Sequence, residues 1–229
     1  MKLDHIVYFT ARSPESVVAE QQKSGRHAVI GGSHERWGTQ NALLYTNNAY
    51  IEWLSVEDVK VAMESNHQLT RLLLHDLKQG DGWGTICLSV DDIADFEMYI
   101  NQKGFDTSGV IKALRKTPDG GVKRWKMLFI NQEISDQLPF PFFIEWEETD
   151  KVRFDRLRKE GTILPSNELL KVKKCIFNTD DPDKTASQWS LLLGKEKYST
   201  NSIILSNILL KFLPANNVPR QRLAKIIME

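Results

Sequence analysis

This chain of 229 residues is poor in cysteine, with only two, and poor in proline, with eight. Cys87 and Cys175 lie in the apolar runs GTICLSV and KKCIFN. They read as reduced, buried strand residues, and a disulfide framework or a Cys-based metal site is excluded. No apolar run approaches the roughly 18–20 residues that span a bilayer. The opening MKLDHIVYFT is interrupted by Asp4 and His5, so it is not read as a signal peptide, and a cytoplasmic location with no membrane partner is expected. There is no excess charge either: 30 basic residues balance 30 acidic ones. That excludes the basic footprint of a nucleic-acid binder. Dinucleotide, phosphate-loop, nucleophile-elbow and Cys-x-x-Cys motifs are all missing. The remaining composition, 41% apolar and 26% charged, is that of a globular chain.

What is present is a repeat. Residues 3–25, 85–104 and 172–194 each read as a short apolar strand, a polar turn and an amphipathic helix. Ser13, Asp92 and Asp181 stand where a side chain would cap the first turn, and Pro14 and Pro182 suit the first helical position. Gly25, Gly104 and Gly194 stand where the helices should stop. Two strands follow the first helix, with Asn47-Asn48 at their turn, and two follow the second. Both pairs end in Ile-Glu-Trp, at residues 51–53 and 144–146. After the third helix, residues 201–213 read as a hairpin turning at Asn207, with a final strand near 223–228. The fold class is therefore α+β: repeated β-α-β-β-β units forming a cupped mixed sheet, with a degenerate third unit. The boundaries are 1–148 for the paired units, 149–171 for a connector and 172–229 for the third unit. Residues 56–80 read as a helical link.

Side chains alternate between the faces of a strand. Glu52 shares a face with Tyr50 and Leu54, and Glu145 with Phe143 and Glu147. The Ile-Trp pairs suit the helix-packed face, which directs both glutamates toward a cavity. His5 lies among Leu3 and Val7 on its own face. A carboxylate or imidazole in such apolar company must find a polar partner. His67 and His75, eight residues apart on the helical link, read as solvated.

The β-α-β-β-β units, the Leu3-Asp4-His5-Ile6-Val7 strand, residues 31–44, residues 115–120 with Trp125, and residues 138–146 together resemble the vicinal oxygen chelate superfamily, most closely its glyoxalase-like-domain branch. The resemblance covers about residues 1–148. It implies a cup whose metal ligands lie on the first and last strands of each unit. Carried over, His5 and Glu52 are the metal ligands and Glu145 is a ligand or the catalytic base. Thr85 stands where a second histidine is expected. The implied cofactor is a divalent metal (Mg, Mn, Fe or Zn) or none. His34, Trp37, Thr39 and Asn41 form the substrate wall. Arg115 and Trp125 are expected to join it; Arg115 and Arg124 suit either the clamping of a carboxylate or an exposed charged hairpin. The implied function is a metal-dependent lyase, isomerase or dioxygenase acting on a small vicinal-oxygen substrate. The alternative is a metal-free binding or sequestering protein of the bleomycin-resistance type. The partner in both cases is a small molecule, and a homodimer is compatible with either. The third unit carries Lys174 at the position of His5 and no glutamate, so no ligand set is expected there.

Overall fold

A computed structural model describes residues 1–116, 122–216 and 218–229. The first repeat consists of β1 (Lys2–Phe9), α1 (Pro14–Lys23), β2 (Val29–His34), β3 (Thr39–Tyr45) and β4 (Tyr50–Val56). A helical link follows, α2 (Val59–Glu64) and α3 (Gln68–Asp76). The second repeat is β5 (Gly82–Ser89), α4 (Ile93–Gln102), β6 (Ile111–Lys116), β7 (Val122–Leu128) and β8 (Phe142–Trp146). The connector forms α5 (Asp150–Lys159) and α6 (Pro165–Glu168). The third repeat contains β9 (Val172–Thr179), α7 (Pro182–Leu193), β10 (Lys197–Ser199), β11 (Ser202–Ile204), β12 (Leu209–Pro214) and β13 (Leu223–Met228). The α+β class and the repeats are as the sequence implies. None of the described helices is long and apolar enough to cross a membrane.

The helix starts follow the capping chemistry. Ser13 Oγ accepts from Ser16 N–H, Asp92 from Ala94 and Asp95, and Asp181 from Lys184. Each bond satisfies an otherwise orphaned helix donor. Gly194 closes α7 in the left-handed region at φ 60°, a conformation that costs a residue with a β-carbon about 1 kcal/mol or more.

The chain divides into two compact units. One is His5–Gly84 with Glu148–Val172 and Glu229; the other is Met1–Asp4 with Thr85–Glu147 and Lys173–Met228. In the first unit the strand order is β2-β3-β4-β1. β1 and β4 are parallel, with His5 opposite Tyr50 and Val7 opposite Glu52. β3 and β4 are antiparallel, with Leu43 opposite Glu52 and Asn41 opposite Leu54. Leu43, Tyr45 and Tyr50 pack with Leu157 and Ile163 of the connector, so α5 covers one end of this sheet face. Each such side chain removed from water stabilises by roughly 1.5–3 kcal/mol.

In the second unit the order β5-β8-β7-β6 repeats the same plan. The third repeat adds a five-stranded sheet, β10-β11-β12-β9-β13. Its core is an aromatic triad: Phe177, Trp189 of α7 and Phe212, with ring centroids 5.2–5.5 Å apart. Cys87 and Cys175 are buried and take part in no disulfide.

Two asparagines at hairpin turns do more than turn the chain. Asn48, between β3 and β4, donates to the Val172 carbonyl at 2.8 Å and accepts from Val172 N–H at 2.9 Å. Asn207, between β11 and β12, does the same to Leu3, at 3.0 and 2.9 Å. Each asparagine thus holds one residue far away in the chain by two hydrogen bonds, within its own compact unit.

Candidate functional site

The pleat of β1, β3 and β4 places His5, Glu52 and Asn41 on one face of the first unit. Glu52 is 6% exposed, and a carboxylate at that depth must be bonded. His5 Nε2 lies 3.3 Å from Glu52 Oε2. Asn41 Nδ2 donates to Glu52 Oε1 at 2.5 Å. Burial acts on Glu52 to raise its pKa. It is outweighed by the hydrogen bond and charge of His5, the charge of His34 and the Asn41 amide, which together hold the carboxyl at about 2. Glu52 is therefore an anion at any physiological pH. A base that weak does not accept a proton near neutrality. The His5 ring is fixed from its other side, stacked on Tyr50 with centroids 4.5 Å apart.

The wall beside this floor comes from the β2–β3 turn. His34 Nδ1 lies 3.1 Å from Thr39 Oγ1, and Trp37 sits in the short helical turn Glu35–Trp37. That turn is pinned. Gly38 has φ +65°, and a β-carbon there would meet Asp58 O at 2.5 Å and Ala62 N at 2.6 Å. The Gly38 carbonyl accepts from Glu57 and Asp58 N–H. Trp37 in turn stacks on His67, with centroids 4.1 Å apart and planes 14° off parallel. The solvated reading of His67 is thus corrected: it is 9% exposed. Burial, with the charges of His34 and Arg36, lowers its pKa to about 3, so the ring is neutral. No local signal marks it, because its partner lies thirty positions earlier in the chain. His75 is partly exposed.

His5, Glu52, Asn41, Thr39, His34 and Trp37 therefore lie in one unit, and His67 joins them. The remaining expected residues belong to the other. Glu145 does not repeat the setting of Glu52. In the first repeat the glutamate stands opposite Val7, two residues beyond His5. In the second, Cys87, two residues beyond Thr85, stands opposite Phe142, and Phe142 stacks on Phe129. Glu145 is three positions further on, an odd step that turns it to the opposite face. That face carries α4: Phe143 packs on Phe96, with centroids 4.5 Å apart. Glu145 Oε2 accepts from Ile93 N–H at 2.9 Å, at the start of α4, and Oε1 accepts from Lys126 Nζ at 2.6 Å. The doubled Ile-Glu-Trp is a repeat of letters and not of register.

Trp125 is half-buried and tilts against Trp146 at 5.7 Å. Trp146 Nε1 donates to Asp4. Arg124 lies 3.8 Å from Glu147, with both side chains exposed. The side chain of Arg115 and the turn 117–121 lie outside the described residues.

Could these residues hold a divalent metal? Among the described residues, no three His, Cys, Asp or Glu side chains gather as a ligand group. His5 and Glu52 supply two donors that already satisfy each other. An ion held by side chains alone wants at least three, and Thr85 contributes no imidazole. Among the described residues, the donor set does not complete a metal cradle.

A glyoxalase-like domain family model matches residues 3–193. No curated protein matches. A hypothetical protein from Staphylococcus aureus is similar in structure at 22% identity, over 99% of this chain and 90% of that one, with a TM-score of 0.83. Its likeness is one of fold. Methylmalonyl-CoA epimerases are more distant. That of Streptomyces coelicolor is 16% identical over 65% of this chain and 99% of its own, with a TM-score of 0.45. That of Mycobacterium tuberculosis is 16% identical over 67% of this chain and 91% of its own, with a TM-score of 0.44. Because the family model spans all of the first two repeats and reaches the third repeat's helix, the chain belongs to the glyoxalase-like domain family of the vicinal oxygen chelate superfamily.

Proposed function

We propose that this protein binds a small polar molecule on the floor made by His5, Glu52 and Asn41, beside the wall of His34, Trp37 and Thr39. The observation that carries this reading is the mutual bonding of three buried polar side chains, His5 to Glu52 and Glu52 to Asn41. Polar groups converging in an apolar setting, next to an aromatic surface, are what a ligand site needs for orientation and contact. Glu52 is held too acidic to carry a proton, and that favours binding over proton transfer by this carboxylate.

The metal-dependent enzyme is the second reading, and one distance favours it. Two ligands in adjacent positions around an ion, each about 2.1 Å from it, stand roughly 3.0–3.4 Å apart. The His5–Glu52 separation is 3.3 Å. A third donor would have to come from the substrate or from outside the described residues.

One experiment separates the two. Protein purified without chelator is analysed for Mg, Mn, Fe and Zn. It is then screened by thermal shift against small polar and aromatic molecules, before and after chelation. The binding reading expects less than about 0.2 metal per chain and ligand shifts that survive chelation. Stoichiometric metal lost in His5→Ala, with ligand shifts lost on chelation, would overturn it in favour of the enzyme.

A further inference from the structure

We propose that the open edge of β6 receives an extended segment of another protein, in which an acidic side chain lies against Lys112 and an apolar one against Leu114. The proposal does not depend on the floor of His5, Glu52 and Asn41.

β6 is the last strand of its sheet, and among the described residues it pairs only with β7. One row of its backbone N–H and C=O groups therefore has no strand beside it. Such a row is a template for an added strand.

The register shows what that strand would meet. Side chains directly across a ladder share a face. On one face, Lys112 stands opposite Lys126, and Lys126 opposite Glu145. Two residues along β6, Leu114 stands opposite Arg124, which lies 3.8 Å from Glu147. Glu145 accepts from Lys126 at 2.6 Å. Each inner cation thus has its carboxylate. Lys112 has a second lysine across from it instead, an unfavourable neighbour. Among the described residues Lys112 forms no ion pair. An acid on the open side would complete the row Lys112, Lys126, Glu145. Leu114 is 61% exposed. A single exposed leucine is ordinary, but this one stands at an open edge, and it suits an apolar side chain two residues from that acid.

Charge narrows the choice of partner. Residues 111–126 hold six basic residues and one acidic residue, in a chain of zero net charge. A second copy of β6 is disfavoured, because three of its six residues are basic. An antiparallel pair centred on Leu114 would set Lys112 of each copy against Lys116 of the other. A nucleic acid or an anionic bilayer is a dense polyanion, and Glu145 and Glu147 on the same face repel it. A segment with carboxylates spaced along a strand meets Lys112 without crowding those glutamates.

The probe is an acetylated and amidated peptide, Thr-Glu-Thr-Val-Thr-Glu-Thr, whose side chains read the same in either strand direction. It is titrated at low salt into isotope-labelled full-length protein and followed by amide chemical shifts. Two controls are the same peptide with both glutamates replaced by lysine, and the glutamate peptide N-methylated throughout. The expected Kd of the glutamate peptide is below about 1 mM, with the largest shifts at residues 111–116. Both controls should bind at least about fivefold more weakly. Lys112 is exposed, so Lys112→Glu should fold normally. It should weaken the glutamate peptide at least about fivefold and strengthen the lysine peptide. No binding at about 1 mM overturns the proposal and leaves the lysines of β6 as guards against association. Equal affinity for the N-methylated peptide, or shifts centred away from β6, overturns it as well. Tighter binding of a short DNA duplex or of phosphatidylserine vesicles than of the glutamate peptide overturns it in favour of that polyanion.

Discussion

The amide oxygen of Asn41 lies over residue 31: a β-carbon built on Gly31 would stand 2.0 Å from Asn41 Oδ1 and 2.9 Å from its Cγ. Gly31 sits where the β2–β3 register shifts, between Ile30 and Gly32. The irregularity presses bare backbone against the amide and aims Nδ2 at Glu52. Gly31→Ala should force Asn41 to turn away and leave one oxygen of a buried carboxylate unbonded. The expected cost is about 1–3 kcal/mol in urea denaturation. Adding Asn41→Ala to Gly31→Ala removes the clash with the amide and leaves only the 3.0 Å approach to the end of the Leu43 side chain. The double variant should be no less stable than Asn41→Ala alone, whereas additive losses would mean that Gly31 acts through something other than Asn41.

Glu52 should make the protein acid-sensitive in a defined window. Its folded pKa, about 2, lies below the ordinary 4.5, so the unfolded chain takes up this proton first. Stability from Glu52 is complete above about pH 4.5 and is lost as pH falls toward 2. The shift corresponds to about 3 kcal/mol for this fully buried group. Glu52→Gln should flatten that part of the stability–pH curve. An unchanged curve would show that the acid sensitivity arises elsewhere.

His67 gives a second, higher window. Its folded pKa is depressed from 6.5 to about 3. As pH falls below 6.5 the unfolded chain gains a proton that the folded chain refuses, so stability declines from there toward pH 3. In a proton NMR titration the His67 C2–H resonance should stay fixed between pH 8 and 5. A midpoint near 6.5 would mean that the ring is not buried against Trp37. His67→Gln should remove this decline at some cost in packing.

Local rules made the repeats legible. Ser13, Asp92 and Asp181 announce helix starts because capping is satisfied within three residues. That Glu52 shares a strand face with Tyr50 and Leu54, and His5 with Leu3 and Val7, was also readable, since alternation needs only the strand itself. What failed was register. Ile-Glu-Trp at 144–146 looks like its counterpart at 51–53, but the pairing of β5 with β8 sets which residue faces α4. That pairing is a tertiary choice spread over more than fifty positions. His67 was missed for a similar reason, because no helical period encodes a stack on a tryptophan in another turn. The family's second histidine position is filled by Thr85. The sequence stated that departure directly.

The turn asparagines show the same division between local and distant. Asn48 and Asn207 were recognised as turn formers, but each also holds a strand 124 or 204 positions away by two hydrogen bonds. Asn48→Ala and Asn207→Ala should each cost about 1–3 kcal/mol, more than a turn residue alone would. Asn→Asp should be at least as harmful, because it replaces the donor facing a carbonyl with a second acceptor. Asn→Gly, which preserves turn conformation, should not rescue either site. Full rescue by glycine would reduce both residues to their turn role.

Glu145 offers the sharpest separation of structure from function. Its carboxylate meets Ile93 N–H at the start of α4 and the Lys126 ammonium across the β7–β8 pair. A negative group at a helix start is favoured by the free N–H groups and by the helix dipole. Glu145→Gln keeps an acceptor for Ile93 and should lose less than about 1 kcal/mol. Glu145→Ala leaves that donor to water and should lose about 1–2 kcal/mol. The Lys126 pair adds little to either figure, since the lysine is well exposed. Neither change should alter by more than about twofold the affinity of a small polar or aromatic molecule found to bind by thermal shift, because both oxygens of Glu145 are engaged, by Ile93 N–H at the start of α4 and by Lys126. Loss of probe binding in a Glu145→Ala protein with an unchanged circular dichroism spectrum and an unchanged melting curve would return Glu145 to the site.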